Sequence, residues 1–172
     1  MNISRIELPV KTAEGEFIAR YSEKGLAKLD FPQAGFRRAV RPPPPAVPAK
    51  IPAAVRAWHR ATETALKNAL AGRAAKNLPP LDWSGKTEFQ ISVWRELLKI
   101  AAGQTQSYGE IAQAIRRPKA GRAVGGACGA NPVPVLVPCH RVLAANKRIG
   151  GFSGGLDWKR RLLACEGAVF QG

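Results

Sequence analysis

The first forty residues alternate apolar and polar positions in short runs. "RIELPVKT", "EFIARYS" and "GLAKLDF" carry the period-two pattern of strands with one buried face, and "AEG" and "EKG" between them supply turns. The expectation is a small antiparallel meander. Beyond Val55 the period changes. Val55, Trp58, Thr62, Ala65, Leu66, Ala69 and Leu70 recur at helical spacing, and the pattern stops near Gly72. Phe89, Val93, Leu97 and Ile100 then mark one face of a second helix, with Thr87 placed to cap it. In "SYGEIA", Ser107 stands three residues ahead of Glu110, the spacing of a capping box. Pro118 turns the chain into "KAGRAVGGACGANP", so two short helices joined tightly read as a helix-turn-helix. "VPVLV" reads as a short buried strand that Pro138 ends, leaving Cys139 and His140 at a strand-to-turn junction.

Two segments interrupt these patterns. "RPPPPAVPAK" lacks backbone donors and favours extended geometry, so 42–48 reads as a stiff exposed loop or spacer, the alternative being a proline-rich ligand. "NLPPLDWSG" reads as a boundary, dividing the chain into 1–82 and 83–172. His59 has no cysteine or second histidine near it in the sequence, so packing explains it better than metal ligation.

Composition adds a partner class. Lys and Arg number 27 against 12 Asp and Glu, a net charge of +15, which points to a polyanion, nucleic acid first. Among the 172 residues there is ample apolar material for a core. No apolar run approaches the roughly 18 residues of a membrane span, and the first residues lack the apolar core of a secretory signal. Three cysteines, Cys128, Cys139 and Cys165, leave at least one unpaired, which suits a reducing cytoplasm. Gly121, Gly125, Gly126 and Gly129 each cost a helix about 1 kcal/mol relative to alanine. Either helices pack closely there, or the flat face approaches a nucleic-acid backbone with Arg122 as its one large projection.

The candidate chemistry is a thiol. A free cysteine with a pKa of about 8.5 is mostly protonated at neutral pH and needs a base or a positive field to react. His140 is the adjacent base; on an extended segment it would point away from the sulfur, so a bridging water is a reasonable geometry. Glu166, closing the helix in "DWKRRLLACEG", is the acid placed to orient the imidazole. Cys128 and Cys165 read as small apolar fillers.

Together "FQISVWRELLKI", "SYGEIA", "GRAVGGACGANP", "NPVPVLVPCHRV" and "GGFSGGLDWKRRLLACEG" closely resemble the methylated-DNA–protein-cysteine methyltransferases, or O6-alkylguanine-DNA alkyltransferases, over Thr87 to Gly167. That resemblance implies an α/β (α+β) fold. A small ribonuclease H-like strand-plus-helix domain would precede a winged helix-turn-helix domain carrying the active site. It implies irreversible transfer of an alkyl group from O6 of guanine in duplex DNA to Cys139, leaving open O4 of thymine, after the nucleotide is flipped through the minor groove. His140 would act as base through a water, Glu166 would hold it, Asn131 would tie the active-site turn, and Tyr108 would serve N3 and the neighbouring phosphate. Val142 and Ser153 would read the guanine edge, with Phe152 and Cys128 lining the pocket. Arg122 would fill the gap in the stack, while Lys119, Ala120, Gly121, Ala123 and Gly125 would meet the DNA. No cofactor, no metal and no membrane are implied. The chain would act as a monomer in the cytoplasm, beside the nucleoid in a prokaryote, or in the nucleus of a eukaryote. Phe152 departs from the family's common tyrosine, and Gly121 from its common alanine. Rival readings are a non-catalytic binder of alkylated guanine, which would lack the acceptor cysteine, a transcriptional regulator, and a cysteine hydrolase, which would require an oxyanion hole.

Overall fold

The computed structural model describes residues 6–32 and 50–172. The 42–48 loop therefore lies outside the described residues. Three antiparallel strands, β1 (Ile6–Thr12), β2 (Gly15–Ser22) and β3 (Gly25–Asp30), form a meander in the order β1-β2-β3. Their alternation buries Leu8, Val10, Phe17, Ala19 and Tyr21 on one face, as the period-two pattern requires. Gly15 and Gly25 take φ of +114° and +145° at the two tight connections, conformations that favour glycine. Helix α1 (Ala53–Leu70) buries Val55, Thr62, Ala65, Leu66 and Ala69. Tyr21 reaches α1 from the sheet, its hydroxyl bonded to Thr62 Oγ1 at 2.9 Å and in contact with His59 Nδ1 at 3.1 Å. His59 thus belongs to the packing of α1, as read from the sequence.

Helix α2 (Glu88–Leu97) starts at a capping box made by Thr87 and Gln90, and α3 (Tyr108–Ala114) at one made by Ser107 and Glu110. Each box satisfies two amide donors that a helix start leaves bare. A two-residue strand β4 (Gln106–Ser107) precedes α3, and α4 (Gly121–Gly129) follows it. Trp94 of α2 is fully buried and donates Nε1–H to the Ala127 carbonyl at 2.8 Å, fastening α2 to α4. Strand β5 (Val142–Leu143) pairs in parallel with β4, and α5 (Leu156–Cys165) ends the described helices. Leu26 exchanges backbone bonds with Pro80 and Asp82, and Leu29 N–H donates to Pro132 O. One apolar core consequently runs from the sheet into the helical half.

The "VPVLV" segment is not a strand. Val133, Val135, Leu136 and Val137 are buried, but Val135 has φ of +73°, and Val137 N–H closes back on Val133 O as a turn. Asn131 stabilises that turn from inside, accepting from Val133 N–H and donating to Val137 O. A strand needs a neighbouring strand for its amides, and here a buried side-chain amide takes that role. Cys139 accordingly opens a short 3-10 helix, Cys139–Arg141, rather than a strand-to-turn junction. Among the described residues no helix is long and apolar enough to cross a membrane.

Candidate active site

Cys139 Sγ accepts a hydrogen bond from Asn131 Nδ2 at 3.2 Å. The side chain is 3 % exposed and lines a cavity of about 260 Å³ together with Tyr108, Gly125, Cys128, Gly129, Gly151, Phe152 and Ser153. Because the 3-10 helix places successive residues on different sides, His140 turns away into the protein, where it is wholly buried. His140 Nε2 lies 3.0 Å from Glu166 Oε1, and its Nδ1 is buried without a hydrogen-bond partner. Burial holds the imidazole below its ordinary pKa, against the pull of the Glu166 carboxylate. A neutral ring whose Nε2–H donates to a carboxylate leaves Nδ1 as a lone-pair acceptor.

Glu166 is the most heavily bonded carboxylate in the site. Arg141 grips both oxygens, with Nη2 at 2.8 Å from Oε1 and Nε at 3.0 Å from Oε2, and Gly103 N–H donates to Oε2 at 3.2 Å. Burial acts to raise its pKa, but the hydrogen bonds and charges of His140 and Arg141 outweigh it and bring the carboxyl to about 2. Arg141 also donates to Ile100 O at 2.5 Å. Lys159, fully buried on α5, donates to Val142 O at 2.6 Å and Gly151 O at 3.1 Å. Its desolvated ammonium is pushed down to about 8, a cost partly recovered from the two nearby sulfurs. Burial lifts the Cys139 thiol to about 11, with the Asn131 amide and the Lys159 charge pulling it back.

The structure brings Cys139, His140, Asn131 and Glu166 together, and Tyr108, Phe152, Ser153 and Cys128 around the cavity. Val142 is different: it does not line the cavity, and its carbonyl already accepts the Lys159 ammonium. Cys128 is a buried filler whose thiol burial pushes up to about 12, whereas Cys165 is exposed and fills nothing. At Gly121, Gly126 and Gly129 an added Cβ would meet nothing within 4 Å. Close helix packing therefore does not explain those three glycines. Gly125 alone has a neighbour, the Tyr108 ring at 3.8 Å. Lys119, Arg122 and Ala123 are exposed on or beside α4, as are Arg116 and Arg117, while Ala120 and Gly121 are half-buried. Among the described residues no group of His, Cys, Asp and Glu is assembled that could hold a metal ion.

Arg141 and Lys159 were not singled out by the sequence reading. Arg141 had a signal, since a charge inside "PCHRV" sits among otherwise apolar, buried positions. Lys159 had none, because a lysine between Trp158 and Arg160 looks like any solvated helix face.

Several known proteins are similar to this chain. A sequence model described as "6-O-methylguanine DNA methyltransferase, DNA binding domain" matches residues 88–168. A methylated-DNA–protein-cysteine methyltransferase of Methanosarcina acetivorans is 54 % identical over 82 residues, 48 % of this chain and 53 % of that one. The inducible methylated-DNA–protein-cysteine methyltransferase of Bacillus subtilis is 46 % identical over 97 residues, 56 % of this chain and 54 % of its own length. The matched segments thus span about half the length of these curated relatives. The similarity to solved structures is longer. The O6-methylguanine methyltransferase of Mycobacterium tuberculosis is 33 % identical with a TM-score of 0.70, over 95 % of this chain and 93 % of that one. The M. tuberculosis OGT crystallised in complex with DNA is 34 % identical, with a TM-score of 0.71 over 92 % and 91 %.

Proposed function

The chain belongs to the O6-methylguanine DNA methyltransferase family, and on that premise we propose that it repairs duplex DNA by moving an alkyl group from O6 of guanine to Cys139. The observation that carries this reading is a buried sulfur at the wall of a cavity open to the surface, next to a His140–Glu166 pair 3.0 Å apart. O6 is enclosed within the stacked duplex, so the nucleotide must swing out, at a few kcal/mol of lost stacking and pairing. The flipped guanine enters the cavity with its O6 substituent toward Sγ. The carbon–sulfur bond forms as the carbon–O6 bond breaks, and guanine leaves with the electron pair. Tyr108, whose hydroxyl faces the Gly151 backbone, supplies the hydrogen bond or proton at N3. Ser153 and Phe152 close the cavity over the base, and Cys128 lines its floor. Val142 reads the guanine edge only by sharing its carbonyl with Lys159.

With the thiol at about 11, ionising it at pH 7 costs about 5 kcal/mol. That value already contains the pull of the Asn131 amide and of the Lys159 charge. Nδ1 of the neutral His140 takes the proton through a water, with Glu166 holding the other nitrogen. The product is a thioether that water does not cleave, so each molecule acts once. The transfer balances without a cofactor.

Duplex DNA is the partner, met as a monomer through α4. Arg122 fills the gap left in the stack, and Lys119, Ala120, Gly121, Ala123 and Gly125 line a face that suits the narrow minor groove. Open space around three α4 glycines and the exposed arginines at 116 and 117 support this reading. In it residues 83–172 carry repair, and residues 1–82 brace them. The protein works where the DNA is, in the cytoplasm or the nucleus according to the cell.

The test is mass spectrometry. Incubation with a duplex containing O6-methylguanine adds one methyl group to the peptide holding Cys139, and Cys139→Ala abolishes transfer while keeping duplex binding. Transfer persisting in that variant would assign the acceptor to Cys128 or Cys165 and defeat the reading.

A further inference from the structure

The loop that closes the cavity leans on a residue from the far end of the chain. Gly150 and Gly155 bracket it, with φ of +63° and +91°, and Gly151 and Gly154 lie between them. Four glycines in six residues give the backbone little stiffness of its own; Lys159 holds Gly151 O and Gly155 N–H bonds to Phe152 O, and packing decides where the Phe152 ring stands. One face of that packing is Phe31, the residue after β3. Its ring is edge-to-face with Phe152 at 5.8 Å between centroids. Its ring atoms reach to within 2.5 Å of where a Gly154 Cβ would sit. Phe31 is itself held by Phe17 at 5.6 Å and by Trp158 of α5 at 5.0 Å. Arg161 lies over Trp158 at 5.8 Å and pairs with Glu14 in the β1–β2 turn, so sheet and α5 grip the cluster from both sides. On its other side Phe152 lines the cavity, 6.4 Å from the His140 ring.

We propose that Phe31 is a positioning residue that sets how large an alkyl group the cavity admits, by holding Phe152 forward over Cys139. The inference rests on the repair reading above and extends it to substrate choice. With Phe31 in place, the Phe152 ring meets a second ring edge-to-face when it tilts away from the cavity. A methyl group fits in front of that ring. A benzyl group brings a whole ring more and gains room only if Phe152 retreats.

The test compares second-order transfer rates from the free bases O6-benzylguanine and O6-methylguanine, which removes duplex binding from the comparison. The benzyl-to-methyl rate ratio rises about tenfold in Phe31→Ala, the scale of a remodelled apolar pocket, and by less in Phe31→Leu. Val55→Ala, a core truncation in α1, leaves the ratio at the wild-type value, which separates positioning from general destabilisation. Amide hydrogen exchange across residues 151–155 also speeds up in Phe31→Ala. A folded Phe31→Ala with an unchanged ratio overturns the inference, and if that variant does not fold, the ratio in Phe31→Leu decides. A wild-type protein that alkylates nowhere defeats the repair reading instead; unchanged exchange in the loop would then overturn the role of Phe31 by itself.

Discussion

Replacing Glu166 with glutamine keeps the shape of the side chain and removes its charge. The carboxylate accepts from His140, from Arg141 at both oxygens and from Gly103 N–H, all with a side chain 1 % exposed. In the folded protein its pKa is about 2 instead of the ordinary 4.5, a difference of about 3 kcal/mol in favour of the ionised form. A glutamine leaves the Arg141 guanidinium buried without a counter-charge, and breaking such a pair costs about 3–5 kcal/mol. Glu166→Gln should therefore unfold at a markedly lower urea concentration at pH 7, with the m-value unchanged. The sign of the pH dependence follows from the depressed pKa. The contribution of the carboxylate is complete above pH 4.5 and is lost as the pH falls toward 2. The gap between wild type and variant should thus close over that window. Transfer slows too, because the amide presents its own N–H to His140 Nε2 and drives the ring proton to Nδ1, abolishing the base. General-base catalysis of this kind is worth about 10²–10⁴ in rate. A loss under about 1 kcal/mol at pH 7, or a gap as large at pH 3 as at pH 7, would refute the ion-pair reasoning.

Lys159→Met removes the positive charge that draws the Cys139 thiol down. Single-turnover transfer at pH 7 should slow by about tenfold for each pKa step the thiol gains. The inflection that Lys159 deprotonation gives the wild-type profile near pH 8 should vanish; superimposable profiles would exclude the lysine from thiolate stabilisation. Gly126→Ala places a methyl group in open space on the exposed side of α4. It should stabilise the protein by about 1 kcal/mol in urea unfolding while weakening duplex binding in a fluorescence-anisotropy titration. Unchanged affinity would place the DNA on another face.

The meander, α1 and the two capped helices were legible because their causes lie within a few residues of one another. Apolar positions at period two or 3.6 and a Ser107–Glu110 pair three residues apart act before any tertiary contact forms. Cys139, His140 and Glu166 were legible as candidates through the resemblance that their motifs carry. "VPVLV" was misread because its composition suits a strand, while its amides are in fact satisfied by the Asn131 side chain and by one another. Valine content reports burial, and burial is what the segment has. Cys165 was misread for the opposite reason, since the last turn of α5 leaves it on the outside.

Local pattern, charge and motif by themselves determined most of the elements, the basic character and which sulfur is the candidate acceptor. Only the tertiary structure decided that Arg141 and Gly103 clamp the carboxylate, that Lys159 spends its charge beneath the cavity, and that Phe31 braces the loop above it. These contacts join residues 17 to 121 positions apart. Their energy comes from desolvation and close packing, which exist only once distant segments have excluded water from between them.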